Sequence, residues 1–172
     1  RLTTFLNPWA HQYNSGYQLT QSLIAFGRGG VWGVGLGNSI QKLFYLPEAH
    51  TDFLFAVIAE ELGLLGIMVL FALYITLVYR AFVIGRRAQL MDNNFAGYLA
   101  YGFGLWLGLQ FMINVGVNSG VLPTKGLTLP LMSYGGSSLV VDMAAIALLL
   151  RVDYETRLAE YGVQSVDQLN PS

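Results

Sequence analysis

The sequence has no cysteine, which excludes disulfides, thiolate metal sites and a cysteine nucleophile while leaving the redox compartment open. Charge is scarce: Asp, Glu, Lys and Arg make up 11% of the 172 residues, where a soluble globular domain carries about 25%. Neither sign dominates, since the net charge is -1. There is no basic excess to bind nucleic acid and no acidic block of the kind that forms a disordered tail. The first residue is Arg1, in a polar stretch containing Trp9 and Pro8 and lacking the basic n-region of a signal peptide. The chain therefore reads as the back part of something longer. Apolar residues are abundant, and a hydrophobic share of 54% is a membrane composition.

Three apolar runs are candidate spans. The cleanest, 53–79, contains only Glu60 and Glu61 as charges and is long enough to cross roughly 30 Å of hydrocarbon with tilt to spare. The second, 95–117, is uncharged and rich in glycine and aromatics, a composition that lets helices pack closely. The third, 129–150, holds Pro130, Gly135, Gly136 and Asp142, so its first third need not be regular helix. Arg80, Arg86, Arg87, Arg151 and Arg157 flank one side of these spans, against Lys42 and Lys125 on the other. By the positive-inside rule, 80–94 and the tail 151–172 are cytoplasmic, while 1–52 and 118–128 are extracytoplasmic. The fold class expected is an all-α integral membrane protein, a multi-span helical bundle with a long outer loop, an interfacial helix and three transmembrane helices.

Within the outer segment, Tyr17 to Gly27 puts Leu19, Leu23, Ile24 and Phe26 on one helical side, with Gln18, Gln21, Ser22 and Arg28 elsewhere. Such a helix can lie in the interface plane. Glycines follow in "GRGGVWGVGLGNSIQK". Their spacing fits neither a dinucleotide fingerprint nor a P-loop, because no G-K-[ST] is present. Two readings remain: a turn-rich connector, and a loop whose backbone N–H groups meet a lipid-linked pyrophosphate.

"LPEAHTDFLFAVIAEELGLLG" places Glu48, Asp52, Glu60 and Glu61 in or beside an apolar run. On a helix beginning near Asp52, Glu60 lies about 80° away and roughly 12 Å deeper, and Glu61 lies almost opposite Asp52. Asp52 at a helix start is first of all an N-cap or first-turn acid. Glu60 and Glu61 are costly against lipid and should face the bundle or a cavity. His50 and Asp52 share the same side of an extended segment, but H-x-D alone is a weak metal signal, and zinc is not expected.

A second group of polar residues, "GVLPTKGLTLPLMSYGGSS", carries one charge, Lys125, and the hydroxyls of Thr124, Ser133, Tyr134, Ser137 and Ser138. Pro123 and Pro130 fix turns, and Gly135 with Gly136 permits close backbone approach. The pattern is that of a broken helix that holds polar headgroups near a bilayer. Asp142, deeper in the same span, is either a functional acid or a partner of another helix.

Four ordered stretches, "GYQLTQSLIAFGRGG", "GLGNSIQKLFYLPEAHTDFLFAVIAEELGLLG", "GVLPTKGLTLPLMSYGGSS" and "LLLRVDYETRL", resemble the carboxy-terminal part of the SEDS (shape, elongation, division and sporulation) membrane proteins. The resemblance covers nearly all of residues 5 to 158. "LPTKGLTLPLMSYGGSS" and "LRVDYETR" are more similar to the division branch than to the elongation branch. It implies a ten-helix protein of the bacterial inner membrane that polymerises lipid II at the division site on the extracytoplasmic face. This chain would supply its fourth outer loop and last three helices. Asp52 matches the acid of the HTDF motif, which the resemblance marks as essential. Lys125, Ser133, Tyr134 and Ser137 match motif positions near the same outer cavity, where Arg28, Glu48 and His50 are further substrate-binding candidates. Asp142 stands where the family usually has an apolar residue, and no function is carried onto it. Implied partners are lipid II, a class B penicillin-binding protein (a transpeptidase), other divisome membrane proteins and membrane lipid.

The chemistry this implies joins a sugar hydroxyl of one lipid-linked disaccharide to the anomeric carbon of another and expels undecaprenyl pyrophosphate. Asp52 would be the general base. Lys125, Arg28 and a divalent ion, magnesium or manganese, are the candidates to meet charge on the pyrophosphate. Two other functions use the same polar residues: a lipid II flippase, which acids at membrane depth such as Glu60 and Asp142 would suit, and a non-catalytic divisome scaffold.

Overall fold

The computed structural model describes residues 17–38, 53–123 and 128–169. Among them are four helices and no strand: α1 (Tyr17–Gly29), α2 (Leu54–Leu90), α3 (Asn94–Asn118) and α4 (Gly136–Leu169). α2 and α3 are long and apolar enough to cross a membrane, yet only 17% and 33% of their most apolar windows are buried within the chain. The core helix of a soluble protein would be mostly buried. Here Leu64, Leu65, Met68, Val69 and Leu73 of α2 and Leu105, Leu109 and Met112 of α3 point outward, as residues facing lipid or further helices do.

The second expected span, 95–117, agrees with α3 to within a residue at each end. The first differs in two ways. The apolar run ends at Tyr79, but the helix continues through Arg80, Arg86 and Arg87 to Leu90, because hydropathy marks a change of solvent while arginine is a good helix former. α2 is also broken inside its apolar run: Gly63 takes φ 64 and ψ -158, which divides a short helix from a long one. The third span begins irregularly, as expected, with turns from Pro130 and regular helix only from Gly136. Past Leu150 that helix runs on as a charged one, in which Arg151 pairs with Glu155 at 2.7 Å and Arg157 with Asp153 at 3.0 Å.

The chain forms two compact units. One takes its described residues from Arg1–Tyr74 and Leu109–Leu139. Its core gathers Phe55, Leu70, Tyr74, Phe111 and Leu129, with Phe26 and Phe71 packed against them. The phenylalanine rings meet edge-on or tilted, as at Phe55–Phe111 (6.5 Å, 85°) and Phe71–Phe111 (5.0 Å, 73°), and buried ring pairs of this kind add to plain area burial. The other unit is Ile75–Gly108 with Val140–Ser172, and small residues dominate its core: Ala81, Ala88, Ala96 and Ala100, with Ile84, Leu149 and Val152. A Cβ on Gly97 would stand 2.9 Å from the Gly85 carbonyl oxygen, so the α2 and α3 backbones approach as closely as small residues allow. Asp92, at φ 58, turns the chain between these helices. Asn93 then caps α3 by accepting the Ala96 N–H at 3.2 Å.

Of the apolar face its pattern implies, α1 buries Leu19 and half-buries Leu23 and Phe26. Leu19, Ser22, Ala25 and Gly29 are buried, whereas Ile24 is exposed. A Cβ on Gly29 would overlap the Ala59 carbonyl. Small residues at three- and four-residue spacing select the face that can reach another backbone, and this outweighs the more apolar Ile24.

Candidate functional site

Asp52, Glu48 and His50 lie outside the described residues, in 39–52, and Lys125 lies outside them in 124–127. The described neighbours fix where these segments attach. Phe53 is buried, and its carbonyl accepts the Ala56 N–H at 3.0 Å, so the first turn of α2 opens at Phe53. Arg28, Ser133, Tyr134 and Ser137 are all described and all belong to the first unit.

The described part of the glycine-rich stretch, 27–38, is turn-rich beyond α1, and its N–H groups at 33, 34 and 35 go to carbonyls of the chain. It is docked backbone to backbone onto the break in α2. Breaking a helix at Gly63 leaves carbonyls free on one side and N–H groups free on the other, and each must find a partner when buried. Val34 and Gly35 N–H donate to the Glu60 and Glu61 carbonyls at 2.9 and 3.0 Å. Leu64 and Leu65 N–H donate to the Gly30 and Val31 carbonyls at 3.0 and 3.4 Å. Gly33 N–H is taken by the Gly29 carbonyl at 2.7 Å. A Cβ on Gly33 would overlap the Glu61 carbonyl, and one on Gly63 would overlap the Gly33 nitrogen and the Val31 carbonyl. The glycines at 33 and 63 are what let the two backbones meet.

This docking also brings Arg28 to Glu60. Arg28 Nε stands 3.8 Å from Glu60 Oε1, with the carboxylate side chain at 0% exposure and the guanidinium side chain at 44%. An acid expected to face the bundle or a cavity thus has a counter-ion within the chain. The cation sits in the last turn of α1, where the helix dipole also favours it. We expect Arg28→Gln to lower the thermal midpoint of the detergent-solubilised protein. Added to Glu60→Gln it should cost less than it does alone, with a coupling on the order of 1 kcal/mol. Strictly additive effects in that double-mutant cycle would show that the pair is not an interaction.

The Leu129 to Ser138 segment is held from several directions. Leu129 N–H donates to Ser133 Oγ at 2.8 Å, and the Leu129 carbonyl accepts the Ser133 N–H at 3.1 Å. Gln110 Nε2 donates to the Thr128 carbonyl at 3.2 Å. Thr128 Oγ1 donates to Ser138 Oγ at 3.3 Å, and Ser138 in turn donates to the Gly135 carbonyl at 3.1 Å. The Tyr74 hydroxyl donates to the Pro130 carbonyl. Leu131, next in sequence, has φ 62, a left-handed conformation that costs a bulky residue about 1–2 kcal/mol and persists only where its surroundings impose it. Ser133 is thus buried and shapes the turn, while Tyr134 (81% exposed) and the exposed Ser137 face outward. Among the described hydroxyls singled out by sequence, these two are exposed, while Ser133 and Ser138 bond within the segment.

Sequence reasoning passed over a buried polar group on α1 and α3. Ser22 Oγ donates to the Asn118 carbonyl at 2.7 Å, and Asn118 Nδ2 donates to the Asn114 carbonyl at 2.9 Å and to its Oδ1 at 3.2 Å. All three side chains are buried. The available signal was two amides four residues apart in an otherwise apolar span, with no acid or base to draw attention. Asp142 is buried in the second unit. Among the described residues no three metal-ligating side chains come together.

Two apolar helices that present most of their surface outward, one of them broken and sealed by a docked loop, and a strained hydroxyl-bearing turn are features of a helical integral membrane protein. The family model of the cell cycle proteins FtsW, RodA and SpoVE matches residues 1–158, and the chain belongs to that family. It is 69% identical over 156 residues to the probable peptidoglycan glycosyltransferase FtsW of Coxiella burnetii, covering 91% of this chain and 42% of that protein. With the corresponding protein of Nitrosococcus halophilus the identity is 65% over 166 residues, covering 96% of this chain and 43% of the relative. Among solved structures, a peptidoglycan synthase complex that coordinates polymerization and crosslinking matches with a TM-score of 0.66 at 34% identity, over 91% of this chain and 41% of the matched one. The rod shape determining protein RodA of Thermus thermophilus, as an Asp-to-Ala variant, matches with a TM-score of 0.55 at 43% identity, over 63% of this chain and 36% of that one. The chain spans about two fifths of the length of these relatives.

Proposed function

We propose that the protein to which this chain belongs is a lipid II polymerase of bacterial cell division, a peptidoglycan glycosyltransferase. The observation that carries this reading is the 69% identity, over 91% of the chain, to a protein named for that activity. The hydroxyl of one lipid-linked disaccharide attacks the anomeric carbon of another. The new glycosidic C–O bond forms as the C–O bond to pyrophosphate breaks, the hydroxyl proton passes to Asp52, and undecaprenyl pyrophosphate leaves with the bonding electrons. One displacement with one base inverts the anomeric centre. A carboxylate at the water–membrane boundary suits this role, because partial burial raises its basicity.

Lys125 is the leading cation for the departing pyrophosphate, with Arg28 second because Glu60 already engages it. Tyr134 and Ser137 contact substrate, Ser133 shapes their turn, and Glu48 and His50 join in binding substrate. Magnesium or manganese on the pyrophosphate would add positive charge there. The described residues offer no three-ligand cage for such an ion, and no step above passes through one. Arg80, Arg86, Arg87, Arg151 and Arg157 support cytoplasmic ends for their helices by the positive-inside rule, and in this reading Asp52 and Lys125 work on the outer face of the inner membrane, at the division site. A cognate class B penicillin-binding protein and other divisome membrane proteins are the partners, and the similarity to a peptidoglycan synthase complex supports a partnered enzyme. The pairing of Glu60 with Arg28 removes one of the acids that suited a flippase.

The test is polymerisation of purified lipid II by the full-length protein, alone and with its transpeptidase. We expect glycan strands from the parent. We expect Lys125→Ala to lose about tenfold or more in turnover at limiting substrate, the scale of removing one preorganised charge. Lipid movement with no glycan product would replace this reading with the flippase. Parental turnover by Lys125→Ala would take the lysine off the leaving group.

A further inference from the structure

A tyrosine buried in an apolar span must give its hydroxyl a partner, and the partner of Tyr74 is informative. Tyr74 is 6% exposed, and its ring stacks on Phe111 with centroids 4.0 Å apart and planes 13° apart. The stack holds the phenol against the Pro130 carbonyl, to which its hydroxyl donates. That carbonyl belongs to the peptide leading into Leu131, whose φ of 62 is the bulky-residue outlier of this segment. The Ser133 clamp on Leu129 comes from within the turn itself. Tyr74, by contrast, reaches it from α2, across 56 positions of sequence. Beyond the turn, Tyr134 and Ser137 face outward.

We propose that Tyr74 is a positioning residue: through the Pro130 carbonyl it sets the strained turn that presents Tyr134 and Ser137 to the lipid-linked substrate. The proposal rests on the polymerase reading for the substrate's identity and on geometry alone for the turn. Removing the hydroxyl while keeping the ring leaves the Phe111 stack and the core intact. What it releases is the Pro130–Leu131 peptide and the orientation of the residues after it.

Two measurements on the full-length protein in detergent or proteoliposomes separate these layers. In the first, Tyr74→Phe is compared with the parent for lipid II polymerisation. The apparent KM should rise about tenfold with kcat within about twofold, and the thermal midpoint should stay within a few degrees, because the turn binds substrate while Asp52 acts from another segment. In the second, Tyr134→Cys is placed in an otherwise cysteine-free background and labelled with a polar maleimide, with and without Tyr74→Phe. The labelling rate should change at least threefold, whether or not the protein polymerises lipid II. An unchanged labelling rate overturns the proposal. A changed labelling rate with parental KM also overturns it, by showing that the turn moves without touching substrate. A fall in kcat together with a large drop in thermal midpoint would assign Tyr74 to core packing alone. If the parent makes no glycan, the polymerase reading fails, and the labelling experiment still decides whether Tyr74 sets the turn.

Discussion

Asp52→Asn in the full-length protein is expected to abolish glycan polymerisation, by about a hundredfold or more, while leaving membrane insertion and thermal stability at parental levels. Two roles compete for Asp52, and this substitution separates them. As a general base its carboxylate takes the hydroxyl proton during attack, and loss of such a group costs about 10²–10⁴ in rate. As an N-cap it satisfies free N–H groups at the start of α2, which begins at Leu54. Asparagine caps a helix about as well as aspartate, yet its amide cannot take up the proton. A structural acid would therefore tolerate the change and a catalytic one would not. The reaction is followed by separating glycan products from lipid II at matched protein concentration, and retention of the parental rate would leave Asp52 only its capping role. Asp52→Ala would remove cap and base together and so cannot make the distinction.

Gly63→Ala is expected to be as damaging to folding as Asp52→Asn is to chemistry. At φ 64 and ψ -158 the backbone occupies a region that is essentially glycine's, costing any other residue about 1–3 kcal/mol. The added Cβ would also overlap the Val31 carbonyl and the Gly33 nitrogen. These are main-chain atoms, which can withdraw only by giving up the bond from Leu65 to the Val31 carbonyl and the bond from Gly33 to the Gly29 carbonyl. Each bond is worth about 1 kcal/mol and more if a buried group is left unpaired. The sum is several kcal/mol, a large part of a typical folding free energy of about 5–15 kcal/mol. We expect aggregated material in size-exclusion chromatography, or a thermal midpoint lower by about 10 °C or more. Gly102→Ala is the control: nothing lies within 4 Å of its Cβ, and alanine in a helix interior is neutral to stabilising. Comparable behaviour of the two variants would mean that the break is not needed.

These cases show what a linear sequence does and does not reveal. Hydropathy located α3 because a change of solvent coincides there with the ends of the helix, and the prolines and glycines of 129–150 signalled an irregular start because their constraints are local. The break at Gly63 was illegible because one glycine in an apolar run carries no local sign of a break, and its cause, Gly33 and the loop around it, is distant in the chain. For the same reason Arg28 looked free to meet a phosphate and Glu60 looked unpartnered, although the fold sets them 3.8 Å apart. Tyr74 was hidden among the apolar residues of its span because only its hydroxyl is informative, and its acceptor is a backbone atom. The site hydroxyls were legible as a group, but the division between Ser133, which builds the turn, and Tyr134 and Ser137, which face outward, required the fold. Asp52 and Lys125 rest on motif resemblance alone, because the described residues stop on either side of them.

The seam between residues 30–35 and 60–65 also acts as a clasp around the stretch that carries Asp52. The bonds from Val34 and Gly35 to Glu60 and Glu61 tie together both ends of the intervening chain. A change at the seam is therefore felt from both ends of that stretch at once, so loosening either side is expected to reach Asp52 without altering the motif itself.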